Sequence, residues 1–100
     1  MLTLIYTYDI LPGKRDEFVQ WVQSTGLPFW KGQPEVRSIR VLENLFGGAG
    51  SPQRTVILDF DTIADLEKIV QRDVSKKVFS EFVSFAANVK TDYYQTLYAA

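Results

Sequence analysis

Asp59 is the side chain that most invites a chemical reading. It stands between Leu58 and Phe60 in the apolar run Arg-Thr-Val-Ile-Leu-Asp-Phe. A carboxyl buried there would have a raised pKa unless a donor such as Arg37 or Arg54 met it. A salt bridge between subunits is the plainer reading. Asp9 is the other carboxylate set late in an apolar stretch. If the two stretches are the first and third strands of an antiparallel sheet, the carboxylates fall at opposite ends and form no catalytic dyad. Arg40, in the second such stretch, reads as a rim ion pair ahead of an oxyanion anchor. The chain has no histidine and no cysteine. It therefore lacks the commonest general base, the commonest metal ligand and the thiolate nucleophile. No run carries the carboxylate spacing of a calcium loop, so neither a metal nor a cofactor is expected.

These residues need a scaffold, and 100 residues make one domain, spanning 1–100. Hydrophobic residues make up 46% of the chain, enough for a packed core and too many for disorder. The net charge of −1 gives no pull on phosphates or anionic lipid, so neither a nucleic acid nor a membrane is expected as partner. With no signal-like or membrane-length apolar run, a cytoplasmic protein is expected.

Leu2 to Ile10 alternates as a strand. Leu2, Leu4, Tyr6 and Tyr8 share one face; Thr3, Ile5, Thr7 and Asp9 share the other. Pro12-Gly13 ends it. A helix is expected from about Lys14, with acidic Asp16 and Glu17 in its first turn. Phe18, Trp21, Val22 and Thr25 form its apolar stripe, and Gly26 caps it. Leu27-Pro28-Phe29-Trp30 is expected to cover one end of the core, with Trp30 a plug or a lid. Val36 to Phe46 reads as a second strand, Gly47 to Pro52 as a flexible turn and Arg54 to Phe60 as a third strand. Pairing across that turn would set Leu42 opposite Leu58, Asn44 opposite Val56 and Phe46 opposite Arg54. Asp61 or Thr62 caps the next helix. Ile63, Leu66 and Val70 space helically. After a break at Gln71-Arg72-Asp73, where Asp73 could cap again, Val78, Phe82, Phe85, Ala86 and Val89 continue the stripe. Lys90-Thr91-Asp92 ends it, and Tyr93 to Tyr98 is a short fourth strand. Glu67, Lys68, Arg72, Lys76 and Lys77 read as a solvated face.

The order βαββαβ is that of a ferredoxin-like α+β domain. Right-handed crossovers put two helices on one face of a four-stranded antiparallel sheet. The other face lacks a cover, yet whichever face the helices take, Ile, Leu, Val or Tyr residues remain on the other. A homodimer through the bare sheet face is expected, as a closed or nearly closed eight-stranded barrel. Other proteins of this order can be tested by what is missing: the phosphate-cradling loop of acylphosphatases, the basic aromatic strands of RNA-recognition modules and the Cys pair of metal chaperones.

Tyr8-Asp9-Ile10-Leu11-Pro12-Gly13-Lys14 leading into Phe18 and Trp21, Val36 to Glu43 with Gly47 before the hairpin, and Asp59-Phe60-Asp61-Thr62-Ile63-Ala64-Asp65-Leu66 resemble the dimeric α+β barrel superfamily. This includes the antibiotic-biosynthesis monooxygenase-like, EthD-like and NIPSNAP-like families, and the last branch is the most similar. The resemblance implies an apolar pocket between sheet and helices. Members that hold haem do so through a histidine, which this chain lacks. Cofactor-independent members orient phenolic or lactone substrates with Trp, Tyr, Arg, Asn or carboxylate groups. By that resemblance Tyr6, Tyr8, Trp21, Trp30, Arg40, Asn44, Asp59 and Tyr94 are candidate pocket liners. Tyr6, Tyr8 and Trp21 read first as core residues with a satisfied polar tip. Two functions follow. One is a dimer of the NIPSNAP-like sort that binds a small apolar or aromatic molecule. The other is a cofactor-independent monooxygenase or isomerase acting on a phenolic or lactone compound. The missing His and Cys favour the binder.

Overall fold

The computed structural model describes all 100 residues. Strands β1 (Leu2–Ile10), β2 (Ser38–Glu43), β3 (Arg54–Phe60) and β4 (Ala86–Gln95) form one antiparallel sheet in the order β2-β3-β1-β4. Helices α1 (Arg15–Trp21), α2 (Leu27–Lys31), α3 (Ile63–Gln71) and α4 (Asp73–Val83) complete two crossovers. This is the ferredoxin-like architecture that the element order predicts.

Period-two alternation decides which face of the sheet meets the helices. Leu4, Tyr8, Val56, Leu58 and Phe60 are buried and join Phe18, Phe29, Trp30, Leu66, Ile69 and Val78 in one core. Ile5 pairs with Ile57 on the opposite face, flanked by the pairs Thr3–Asp59 and Thr7–Thr55. No helix covers that second face. Fully burying one Leu or Phe is worth roughly 1.5–3 kcal/mol, so the residues of β3 anchor the helix layer.

The first crossover starts with a tight turn. Lys14 N–H donates to the Leu11 carbonyl at 3.1 Å, and Gly13 holds φ at +78° after Pro12. That pairing of Pro then a positive-φ Gly suits a type II turn. The expected stop at Gly26 does not occur. The helix instead runs on through a π-helical segment (Val22–Gly26) into α2. Pro28 lacks an N–H and its ring crowds the preceding turn. The wider i→i+5 geometry accommodates both. Gly26 is helical (φ −64°), and its role is space: a Cβ there would lie 2.8 Å from Cζ3 of Trp21.

The β2–β3 register also differs from the expectation. Ile39 pairs with Leu58, Val41 with Val56, Leu42 with Thr55 and Glu43 with Arg54. β2 runs from Ser38 to Glu43 only, and the loop beyond Asn44 is longer than expected. The shift is an odd number of residues, so it moves Ile39 and Val41 onto the helix side with Val56 and Leu58. Leu45 and Phe46 fall in the loop and are exposed.

The second crossover matches its signals at the start. Thr62 caps α3, its Oγ1 accepting from Asp65 N–H at 3.4 Å. The break falls at Arg72, which is extended; Asp73 opens α4 and is not its cap. Buried Ser75 donates its hydroxyl to the Ile69 carbonyl, which also accepts from Arg72 N–H at 3.1 Å, so the two bonds pin the break. Arg72 grips Glu35 through two hydrogen bonds, at 2.9 and 2.6 Å, tying the break to the segment before β2.

β4 is longer than expected, because Ala86 and Val89 belong to it and not to the helix. Pairing with β1 from Ile10 to Leu2 satisfies that strand's second edge. Val89 fits a period of two with Thr91 and Tyr93 as well as it fits the helical stripe. Asn88 sits at φ +55° beside a bulge opposite Tyr8 and donates to Asp9 at 2.8 Å. Asp9 also accepts from Gln53 N–H at 3.0 Å, so it clamps three strands at one end of the sheet.

Candidate functional site

Sheet and helices do not pack solid. A cavity of about 310 Å³ lies between them, and 19 of its 21 lining residues are hydrophobic. Leu4, Tyr6, Tyr8 and Val56 form the floor with residues of β2 and β4. The π segment and α2 supply Val22, Gly26, Leu27 and Trp30. Phe79, Phe82 and Val83 of α4 close the far side. No charged residue lines it, so what the cavity offers is apolar surface to bury.

The Tyr and Trp residues of the lining carry polar tips. Trp30 Nε1 donates to the Tyr6 hydroxyl at 3.3 Å. That bond uses an oxygen lone pair of Tyr6 and leaves its O–H free to donate. Burial pushes the Tyr6 phenol well above the usual tyrosine range. Burial also raises Tyr8, against the pull of the neighbouring Arg54 guanidinium. Both phenols are thus neutral donors at physiological pH, and neither is a ready base. Trp21 Nε1 is buried without a hydrogen-bond partner. An unmet buried donor costs about 1–3 kcal/mol and awaits an acceptor. The aromatic rings hold one another in place. Tyr8 meets Phe82 edge-on at 4.9 Å and Phe18 at 5.6 Å, while Trp21 stacks on Phe18 at 5.9 Å.

Of the candidates named from the sequence, the cavity gathers Tyr6, Tyr8, Trp21 and Trp30. It does not gather the rest. Arg40 pairs with Ile57 and Asp59 with Thr3, which places both on the face away from the helices. Tyr94, opposite Thr3, shares that face and is exposed. Asn44 lies past the end of β2 and donates to the Pro52 carbonyl at 3.1 Å. Asp59 is not buried among apolar groups. The Thr3 and Ser38 hydroxyls donate to it at 2.6 and 2.7 Å and hold its carboxyl below the usual range. Arg37 pairs with Asp61 instead. No group of three or more carboxylates comes together as a metal site.

Arg54 was not placed here by sequence reasoning, although its parity with Val56 and Leu58 carries the signal. It stands on the helix face, its guanidinium carbon 5.7 Å from the centre of the Phe18 ring. A second recess there, lined by Val19, Val22, Gln23, Val41, Glu43 and Arg54, shares Val22 and Val41 with the main cavity.

No family model matches the sequence, and no curated protein matches it. The fold has clear relatives among solved structures. An EthD-family protein of Bacillus halodurans is 15% identical, with TM-score 0.76, over 97% of this chain and 100% of that one. A dimeric ferredoxin-like protein of unknown function from Jannaschia is 10% identical, with TM-score 0.78, over 95% and 98%. A mutant form of SnoaB, a cofactor-independent oxygenase of Streptomyces nogalater, is 6% identical, with TM-score 0.74, over 98% and 94%. The chain shares the ferredoxin-like fold of these proteins, the fold that the resemblance in its sequence predicts. No helix is long and apolar enough to cross a membrane.

Proposed function

We propose that the protein binds a small apolar or aromatic molecule in the cavity between sheet and helices. It does so in the cytoplasm as a homodimer of the NIPSNAP-like kind, joined through the bare face of the sheet. The cavity carries this reading: it is apolar, walled by aromatic rings and furnished with neutral donors. A dry cavity of about 150 Å³ takes up a benzene-sized molecule, so about 310 Å³ suits a compound of two or three fused rings. The description of the Jannaschia relative as dimeric supports the assembly. Calorimetric titration with one- to three-ring aromatic compounds tests the binding. Saturable uptake of one molecule per chain is expected, abolished by Val22→Phe, which fills the space. No heat from any compound would refute it.

A second reading is a cofactor-independent monooxygenase or isomerase acting on a phenolic or lactone substrate. Trp21 lines the cavity and its buried N–H has no partner, which favours this reading if the indole turns to meet a substrate oxygen. The absence of a lining carboxylate weighs against it, because proton abstraction then has no base. Oxygen uptake with a panel of hydroquinones separates the two readings.

A further inference from the structure

We infer that the ligand carries a carboxylate, and that Arg54 in the side recess anchors it while the aromatic body fills the cavity. This rests on the cavity being a binding site. Arg54 is the one cation that lines the adjoining recess. Its side chain is only 13% exposed, and its guanidinium lies against the ring of Phe18, which lines the cavity.

Its charge is poorly met within the chain. Its one ion-pair partner, Glu43, is 3.8 Å away, too far for a hydrogen bond. The same Glu43 oxygen accepts from Arg15 at 2.8 Å. Two guanidinium groups therefore share one carboxylate, leaving one positive charge in the recess over. A guanidinium offers five donors in a planar fork that fits a carboxylate edge-on. Tyr8 lines the cavity directly beside Arg54, its partner across β1 and β3, and its neutral hydroxyl can add a donor to the same head group. Val22 and Val41 line both spaces, so a flat molecule reaches from one into the other. An aromatic carboxylic acid matches this division into apolar body and anionic head.

The test compares 2-naphthoate with its neutral isostere 2-naphthamide by calorimetry on the full chain. A hydrogen-bonded charge pair in a shielded site supports a preference of at least about tenfold for the acid. Arg54→Gln should erase that preference while affecting the amide far less. Glu43→Gln changes a half-exposed side chain and is safe for folding; it should tighten the acid several-fold by removing the competing carboxylate. Equal binding of acid and amide to the wild type would overturn the anchor and leave the cavity reading standing. Failure of both compounds to bind would overturn both. A Glu43→Gln variant that binds the acid no better would also count against the anchor.

Discussion

The indole N–H of Trp30 donates to the hydroxyl of Tyr6 across 3.3 Å, fastening the end of the first crossover to the central strand over the cavity. Both rings also line that cavity, so one bond sets the shape of floor and roof together. Tyr6→Phe leaves the buried indole N–H without a partner. A loss of about 1 kcal/mol in unfolding free energy is expected, with a lower midpoint in thermal melts. Binding of a purely apolar compound should persist, while a ligand that accepts from the phenol should weaken about tenfold. Unchanged stability would show that the indole finds another acceptor.

Gly26 and Trp21 make the second relationship. The backbone at Gly26 is helical, so an alanine there would ordinarily gain about 1 kcal/mol. Its Cβ would meet Trp21 at 2.8 Å, and the indole would have to leave its stack on Phe18. Gly26→Ala is expected to cost about 1–2 kcal/mol net, as overpacking does, and to shift the tryptophan emission. A raised melting temperature would mean that the indole is free to move.

Much of the frame was legible because local chemistry left few choices. The Pro12-Gly13 turn, the helix start at Asp61-Thr62 and the alternation of Arg54 to Phe60 each name one local structure. The losses share a cause: a signal that fits two structures. Val89 fits a strand with Thr91 and Tyr93 as well as it fits the helical stripe, and only the open edge of β1 decides between them. Gly26-Leu27-Pro28 reads as a stop until a π turn makes room for the proline. The Gly-rich loop beyond Asn44 imposes no register, so the β2–β3 pairing waits on burial of Ile39 and Val41. The site follows the same logic. Tyr6, Tyr8, Trp21 and Trp30 share the helix side, whereas Arg40, Asp59 and Tyr94 have the other parity. Both faces of the sheet are mixed, so parity alone does not say which one the helices choose.

Asp59 provides a pH dependence. Hydrogen bonds from Thr3 and then Ser38 hold its carboxyl below its ordinary value of 3.8 in the folded chain. A depressed carboxylate adds stability that is fully present above the unfolded value and lost as pH falls through the folded one. Stability should therefore fall as pH is lowered from about 5 towards 2, and Asp59→Asn should flatten part of that slope. Chemical denaturation at a series of pH values measures it. A slope unchanged by the substitution would mean that Asp9, Glu35, Glu43 and Asp61, all held low as well, account for it.

Ile57 tests the assembly. It pairs with Ile5 at the middle of the bare face, with Arg40 directly across from it on β2, Asp92 across from Ile5 on β4, and Leu42 and Thr55 diagonal to the pair. A face meant only for water would alternate to polar residues throughout, and this one sets Ile5, Ile57 and Leu42 among its charged and hydroxyl residues. Packed against a second copy, that patch is buried and an introduced charge would be stranded there at a cost of several kcal/mol. Packed against water, the same charge would be harmless. Ile57→Asp is therefore expected to convert a dimer into single chains in sedimentation equilibrium while the far-ultraviolet circular dichroism stays unchanged. The helix-side cavity lies behind the sheet, so an aromatic ligand should still bind the separated chains, if more weakly through looser packing of β3. Wild-type chains that sediment singly at high concentration would overturn the dimer, and with it any contribution of a second copy to the stability of the sheet.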